Sequence, residues 1–325
     1  MSHSDSAMNG TLGEMARHLH RGIALSSLLA ASLVGCTQAS METIDNGMAL
    51  SPPASFFMAD DGVALPVSEW EPADSESRGT VIALHSFGDF RLAFEEVGPE
   101  LARAGYRVVA FDQRGFGTTP EQGRWAGEER MIRDALEVYN AVRAQTDAPV
   151  YLLGESMGGS VALLLAAEAE IPPDGLVLAA PGVREGIPFR RGWDVLLWLG
   201  ERILPGAGVR LSRNYEGTLV DSAVERFGED PRIVRRVRLD TYAGLVRLAD
   251  DATEIAGQVA VPTLIFYGGE DGMVRPEAIR GLQRSLAGPV ELIIEEQAPH
   301  LILQAPDQRA RMDVLIDWLE GQKRL

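Results

Sequence analysis

The sequence of 325 residues predicts an α/β fold with a mostly parallel central sheet, helices on both faces and a helical cap inserted after the sixth strand. Between residues 80 and 180, short apolar runs alternate with longer amphipathic stretches, which is typical of parallel sheets. This alternation stops at residue 183 and resumes at residue 260, and the stretch between is predominantly helical. An insertion of this length after a sheet strand indicates a cap folded over the carboxyl-terminal edge of the sheet.

These patterns divide the chain into four parts. Residues 1–36 are predicted to be a signal segment, and residues 37–54, which are small and polar and end in two prolines, are predicted to be a tether. The folded core is expected over residues 55–182 and 260–325, and the helical cap over residues 183–259.

The core is expected to begin with a hairpin whose strands, residues 55–58 and 63–70, flank the turn Asp60-Asp61-Gly62. Further strands, several of them short apolar runs, are predicted over residues 80–84, 106–111, 150–153, 175–180, 262–267 and 290–295. Helices show apolar residues three and four positions apart; they are predicted over residues 91–104, 131–142, 157–167, 276–286 and 307–321.

The first 36 residues have the features of an export signal. Arg17 and Arg21 precede the apolar run of residues 23–34, which is too short to span a bilayer as a helix but suits a signal peptide. The run ends in Leu33-Val34-Gly35-Cys36, which resembles the bacterial lipobox. This resemblance implies lipid attachment at Cys36 and a protein anchored to a membrane of the bacterial cell envelope, facing the periplasm. The alternative is a buried amphipathic helix with an incidental cysteine.

Composition excludes several classes of partner and site. The net charge of −17 argues against nucleic acid as a partner and against electrostatic docking on anionic lipid. The chain has one cysteine, so it forms no intramolecular disulfide and no cysteine-based metal site. No metal or organic cofactor is implied.

The stretch Gly154-Glu155-Ser156-Met157-Gly158 fits the pattern G-x-S-x-G. An apolar strand precedes it and an apolar helix follows, so Ser156 is expected on a sharp strand-to-helix turn that only small neighbours permit. The unpaired N–H groups and the dipole of the helix N-terminus would stabilise an oxyanion there. The alternative is an ordinary glycine-rich turn in which the serine only caps the helix.

A nucleophilic serine needs a base and an acid. His3, His18 and His20 lie in the signal segment, which leaves His85 and His300. The chain order serine, acid, histidine selects His300, which follows the last predicted strand. Asp271, after the strand at residues 262–267, is the expected acid, and the adjacent Glu270 is its rival.

With these partners, the sequence resembles the α/β-hydrolase family, and within it serine hydrolases related to monoacylglycerol lipases and lysophospholipases. The matching segments are His85-Ser86-Phe87-Gly88, Asp112-Gln113-Arg114-Gly115-Phe116-Gly117, Gly154-Glu155-Ser156-Met157-Gly158-Gly159, Gly268-Gly269-Glu270-Asp271 with Val274, and Pro299-His300.

The resemblance implies two-step acyl transfer on Ser156, with an oxyanion hole made by the backbone N–H groups of Phe87 and Met157. It also implies structural roles for Asp112 and Arg114. The chain departs from the pattern at Ser86, where many relatives have glycine, and a side chain there would narrow the pocket or add a hydroxyl donor to the oxyanion hole.

The stretch of residues 193–204 in the cap combines several large apolar side chains, among them Trp193, Leu197 and Trp198. These three are the expected contacts of an acyl chain, or part of a lipid-facing lid. The other interpretation is that this helix only packs the cap against the core.

The expected activity is hydrolysis of carboxylic esters, with a monoacylglycerol or a lysophospholipid as substrate. Ser156 excludes the related dehalogenases and epoxide hydrolases, which need an aspartate nucleophile. A short-chain esterase, a thioesterase, an acyltransferase or a carbon–carbon bond hydrolase would use the same residues and stays open. A non-catalytic lipid-binding protein of the envelope is the alternative from another functional class.

Overall fold

The computed structural model describes residues 55–73, 77–184, 193–211, 215 and 217–322. The strands are β1 (Ser55–Met58), β2 (Ala64–Trp70), β3 (Thr80–Leu84), β4 (Arg107–Phe111), β5 (Val150–Glu155), β6 (Gly175–Ala179), β7 (Gly208–Arg210), β8 (Arg236–Arg238), β9 (Thr263–Gly268) and β10 (Val290–Glu295). The α-helices are α1 (Val97–Arg103), α2 (Glu128–Arg143), α3 (Met157–Glu168), α4 (Trp193–Ile203), α5 (Asp221–Glu229), α6 (Leu239–Ile255), α7 (Pro276–Ser285) and α8 (Gln308–Gln322).

The central sheet has the strand order β1-β2-β4-β3-β5-β6-β9-β10. The β1–β2 and β2–β4 pairs are antiparallel, and every pair from β4 to β10 is parallel. The parallel strands therefore present their carboxyl-terminal ends at one edge, which is where such sheets build their ligand sites. The predicted α/β class with a mostly parallel sheet is confirmed.

Strands in the middle of the sheet are buried on both faces, which explains why they read as continuous apolar runs rather than as alternating ones. Every residue of β3, β5, β6 and β9 is buried. One apolar cluster lies on the face that α1 and α8 cover, with Leu101 and Leu315 among its members. A larger cluster lies on the opposite face, under α2, α3, α6 and α7.

The predicted cap region lies between β6 and β9 and contains α4, α5 and α6. It also contains a short antiparallel ribbon, β7 with β8, which the sequence did not predict. Each of these strands has three residues, GVR and RVR, which is too short to show an alternating pattern. Among the described helices, none is long and apolar enough to cross a membrane.

The predicted helix over residues 91–104 is interrupted. Residues Arg91–Phe94 form a 3₁₀ turn, and α1 begins only at Val97. Proline lacks a backbone N–H and is tolerated only in the first turn of a helix, where that N–H has no partner within the helix. Pro99, the third residue of α1, therefore favours a new helix start just before it.

The start of α3 packs directly on the end of β3. A Cβ on Gly158 would lie 1.9 Å from the backbone oxygen of Leu84. Backbone cannot move aside as a flexible side chain can, so we expect Gly158→Ala to reduce the free energy of unfolding by about 2 kcal/mol or more. Denaturant titration measures this loss.

Gly281 provides the matched control, because it lies within α7 with open space around its Cα. Gly281→Ala should leave stability unchanged or raise it by up to ~1 kcal/mol. Equal effects of the two substitutions would contradict the proposed close approach of α3 to β3.

Candidate active site

Ser156 sits on the turn between β5 and α3, with backbone angles φ 51° and ψ −115°. This conformation is strained for a residue with a side chain, so the surrounding structure must enforce it. The backbone N–H of Ser156 donates to Ala179 O at 2.9 Å, and its carbonyl accepts from Gly182 N at 2.8 Å. A Cβ on Gly154 would lie 2.4 Å from Gly158 O, so glycine is required at that position.

Three predicted residues from distant parts of the chain meet at this turn. Ser156 Oγ lies 2.8 Å from His300 Nε2, and His300 Nδ1 lies 2.7 Å from Asp271 Oδ2. Because the Asp271 carboxylate only accepts, Nδ1 carries the proton and Nε2 is left to accept from the serine hydroxyl. This tautomer is the one that can take the proton of Ser156.

The carboxylate of Asp271 is itself held in place. Its Oδ1 accepts hydrogen bonds from the backbone N–H groups of Met273 at 2.7 Å and Val274 at 2.9 Å. The Asp271 side chain is fully buried and that of His300 nearly so, whereas Ser156 is partly exposed. A substrate would therefore approach from the side of Ser156.

Glu270, the rival acid, has a different position. It is exposed and lines a cavity with Glu296 and Asp307, while the adjacent Asp271 contacts His300. The structure thus brings Asp271, rather than Glu270, to the histidine.

His85, the rival base, is fully buried, and both of its ring nitrogens bond loop backbone rather than Ser156. Its Nε2 accepts from the backbone N–H of Gln113 at 3.0 Å, and its Nδ1 donates to Ser86 O at 2.9 Å. Burial lowers the pKa of His85, which keeps the ring neutral at neutral pH. Its tautomer follows from these two bonds, and it anchors the segment that contains Phe87.

The segment Ser86–Phe87 lies at the same end of the sheet as Met157. Leu84 of β3 pairs with Gly154 of β5, and Phe87 and Met157 each lie three residues beyond that pair. Met157 is the first residue of α3, so its N–H has no partner within the helix. Ser86 is buried, and its carbonyl also accepts from Asp89 N at 3.2 Å. The role of Phe87 and Met157 as an oxyanion hole stays a prediction.

Asp112 and Arg114 brace the loop after β4. Asp112 is buried and accepts from the Arg91 guanidinium at 2.8 Å and from Thr118 N at 3.0 Å. Arg114 Nε donates to Asp134 Oδ2 at 2.8 Å. The Asp112 contacts hold the loop to the 3₁₀ turn at Arg91, and the Arg114 contact holds it to the middle of α2; none of them involves Ser156.

Two buried residues beside Ser156 were not singled out from the sequence. Glu155 Oε1 accepts from Leu303 N at 3.1 Å, and Glu155 Oε2 accepts from Gln304 Nε2 at 2.6 Å. Burial raises the pKa of Glu155 to about 7; the nearby Asp89 raises it as well, whereas the bond from Gln304 and the charge of His300 oppose this shift. Glu155 lies within the G-x-S-x-G motif, but Gln304 belongs to no motif.

The residues predicted to contact substrate lie only partly within the described structure. The side chain of Trp193 and all of Cys36 fall outside the described residues. Leu197 and Trp198 line a cavity of about 190 Å³ between α4 and α6, and none of the Ser156, His300 and Asp271 side chains is part of its lining. Their role in substrate binding therefore stays a prediction.

One face of α4 is apolar and exposed. Trp198 is 45% exposed, and its ring is covered by the Arg202 guanidinium at 4.2 Å. The other exposed apolar side chains of this segment are Val195, Leu196, Leu199, Ile203 and Leu204. A contiguous apolar face of this kind is a candidate contact for lipid or for another apolar surface.

Within the described ranges, no group of three or more His, Cys, Asp or Glu side chains is arranged to hold a metal ion.

Comparisons with known proteins agree with this fold. The profile of the family described as serine aminopeptidase, S33, matches residues 75–307. Caffeoylshikimate esterase of Arabidopsis thaliana is 26% identical over 287 residues, which cover 82% of this chain and 83% of that enzyme. Monoacylglycerol lipase of Mycolicibacterium smegmatis is 25% identical over 283 residues, which cover 79% and 93%.

Solved structures show the same fold. A soluble variant of monoglyceride lipase from Saccharomyces cerevisiae superimposes with a TM-score of 0.72 at 19% identity, over 83% of this chain and 96% of that one. Other relatives are longer: the chain spans 24% of an uncharacterized abhydrolase domain-containing protein of Dictyostelium discoideum and 29% of the lysophosphatidylserine lipase ABHD12 of Macaca fascicularis.

The raised pKa of Glu155 makes stability depend on pH. The native state holds a proton on Glu155 up to about pH 7, whereas an unfolded glutamate releases it near its ordinary pKa of 4.5. The free energy of unfolding should therefore fall as the pH rises from about 4.5 to about 7. Glu155→Gln removes this contribution, so the variant should gain stability relative to wild type across that interval. Urea titrations at several pH values measure the difference.

A constant stability difference between wild type and Glu155→Gln over this pH interval would contradict the account. The comparison isolates Glu155, since every other titrating group is common to both proteins.

Proposed function

Because the chain belongs to the serine aminopeptidase S33 family of α/β-hydrolases, we propose that it is a serine hydrolase that cleaves carboxylic esters of lipids. The observation that carries this proposal is the chain of hydrogen bonds from Ser156 Oγ through His300 to Asp271. In this arrangement a nucleophile, a base and an orienting acid occupy the positions that acyl transfer needs.

In the first step, His300 Nε2 takes the proton of Ser156 as Oγ attacks the ester carbonyl. The resulting imidazolium is stabilised by Asp271, which stays ionised. The negative charge on the carbonyl oxygen would be stabilised by the backbone N–H groups of Met157 and Phe87 and by the N-terminal end of α3. His300 then gives its proton to the leaving alcohol, and the acyl group remains on Ser156.

In the second step, water takes the place of the alcohol. His300 removes a proton from the water as it attacks the acyl carbon, and the same proton returns to Ser156 when the carboxylic acid leaves. The cycle ends with the serine and the neutral histidine restored.

Two kinds of support favour a lipid ester. The relatives matched over most of their length include an esterase and a monoacylglycerol lipase by name. The exposed apolar face of α4 lies in the cap, where contact with an acyl chain or with a lipid surface would bring such substrates to the site. A monoacylglycerol or a lysophospholipid fits both kinds of support, because each has one ester bond for Ser156 to attack and one long acyl chain for an apolar surface to contact.

We also propose that Cys36 carries a lipid anchor that holds the enzyme at a membrane of the bacterial cell envelope. The support is the order of features in residues 17–36, from basic residues through an apolar run to the lipobox-like Leu33-Val34-Gly35-Cys36. Residues 37–54 would then tether the catalytic unit to the membrane that contains its substrates.

A substrate panel tests the reaction class. It contains nitrophenyl esters of short and long acids, a monoacylglycerol, a lysophospholipid and an aminoacyl nitroanilide. We expect hydrolysis of the esters, kcat/KM at least ~10-fold higher for long than for short acyl chains, and a loss of about 10⁴-fold or more in Ser156→Ala. Faster cleavage of the anilide would identify a peptidase instead, and equal rates for all chain lengths would exclude the lipid preference.

Fractionation of cells tests the anchor. The full chain should appear in the membrane fraction and Cys36→Ala in the soluble fraction, because the lipid attaches only to the cysteine. Both proteins should hydrolyse a soluble short-chain ester at the same rate. Membrane association of Cys36→Ala equal to that of wild type would show that Cys36 carries no anchor.

A further inference from the structure

Gln304 is the centre of a buried polar cluster next to the catalytic residues. Its side chain is 2% exposed. Its Nε2 donates to Glu155 Oε2 at 2.6 Å and to Asp89 Oδ2 at 3.2 Å, while its Oε1 accepts from the Arg226 guanidinium. All the hydrogen-bonding capacity of the amide nitrogen is thus used within the protein.

Each partner of Gln304 belongs to a different part of the site. Glu155 directly precedes Ser156, and Gln304 itself follows His300 by four residues. Asp89 lies two residues after Phe87 and accepts from the backbone N–H of Phe90 at 2.9 Å. Arg226 lies on α5, in the cap. The Gln304 side chain therefore connects the turn at Ser156, the loop that contains His300, the segment that contains Phe87 and the cap.

We infer that Gln304 is a positioning residue that aligns Ser156 with His300, and that Arg226 makes this alignment depend on the docking of the cap. The inference rests on the serine hydrolase function proposed above. Neither residue touches the reacting atoms, so their effect passes through Glu155 and through the loop that contains His300.

Arg226 uses its guanidinium to join three partners at once. Besides Gln304, it contacts Asp89 Oδ1 at 3.4 Å and Glu95 Oε1 at 2.7 Å. A lysine ammonium is a compact charge on a flexible stem and does not reproduce this planar fork. The interaction is therefore specific to arginine.

Neighbouring contacts stabilise the hydrogen bonds between Arg226 and Gln304. An apolar cluster joins Phe227 and Leu219 of the cap to Phe90 and Leu301 of the core, and Leu301 is the residue after His300. The backbone N–H of Val220 also donates to Gln304 O at 2.9 Å. Because water is excluded here, an unmade hydrogen bond costs more than it would at the surface, and the cluster favours a single arrangement.

A double-mutant cycle tests the inference. Glu155→Gln and Arg226→Lys are made singly and together, and kcat and KM are measured with a soluble short-chain ester. Glu155 and Arg226 share Gln304 as a partner, so their effects should be coupled. Each single variant should lower kcat by about 10-fold with KM unchanged within about 2-fold, because small misalignments act on the chemical step. The double variant should fall short of the product of the single effects by at least about 3-fold, because either change alone already frees the Gln304 amide from one of its partners.

Arg114→Lys is the matched control. Arg114, in the loop after β4, pairs with the buried Asp134 of α2 and has no contact with Gln304 in the described structure. This exchange should lower the melting temperature but leave kcat unchanged. If Arg226→Lys fails to fold, Gln304→Met, which keeps the side-chain volume and removes the amide, takes its place in the same cycle.

Two results would overturn the inference: effects that multiply independently in the double variant, or an Arg226→Lys variant that changes only the melting temperature, as Arg114→Lys does. A wild-type protein that hydrolyses no ester and is not labelled by a fluorophosphonate would instead refute the proposed function. The two failures are therefore distinguishable.

Discussion

The hydrogen bond between Ser156 Oγ and His300 Nε2 joins two points of the chain that are 144 residues apart, and it tolerates little displacement. The rest of the structure holds these two atoms in place. On one side, the strained backbone of Ser156 is maintained by close contacts between β5, α3 and β3, which only glycine at positions 154 and 158 permits. On the other side, Asp271 fixes the tautomer and the orientation of the histidine.

The sheet order explains how these groups come together. Ser156 follows β5, Asp271 follows β9 and His300 follows β10, so three parallel strands deliver them to one edge. The loops at that edge could shift relative to one another if nothing joined them. The bond between Gln304 and Glu155 joins the loop of His300 to the turn of Ser156, and Arg226 joins Gln304 to the cap. A change in cap position would therefore reach Ser156 through buried hydrogen bonds. Substrate access and catalytic alignment would then depend on the same structural element.

Much of the fold is predictable from local sequence. The buried strand β3 and the partly exposed strand β10 have the bounds that the sequence predicts, and the G-x-S-x-G turn marks Ser156. The sequence indicated Asp271 as the acid but kept the adjacent Glu270 as its rival, because one step along a loop changes a side chain from exposed to buried and the local pattern does not show which is which. It also could not identify Gln304 and Arg226, whose importance arises only from contacts between residues 78 positions apart. The apolar pattern of residues 91–104 predicted one continuous helix and took no account of Pro99, which favours the new helix start at Val97.

Labelling with a fluorophosphonate, followed by mass spectrometry of the peptides, tests the central claim most directly. We expect one adduct, on Ser156, in wild type and in Glu270→Gln at similar rates. Labelling should be slowed by about 10³-fold or more in His300→Gln, and strongly slowed in Asp271→Asn. An adduct on another residue, or undiminished labelling of Ser156 in His300→Gln, would contradict the assignment of Ser156 as a nucleophile activated by His300.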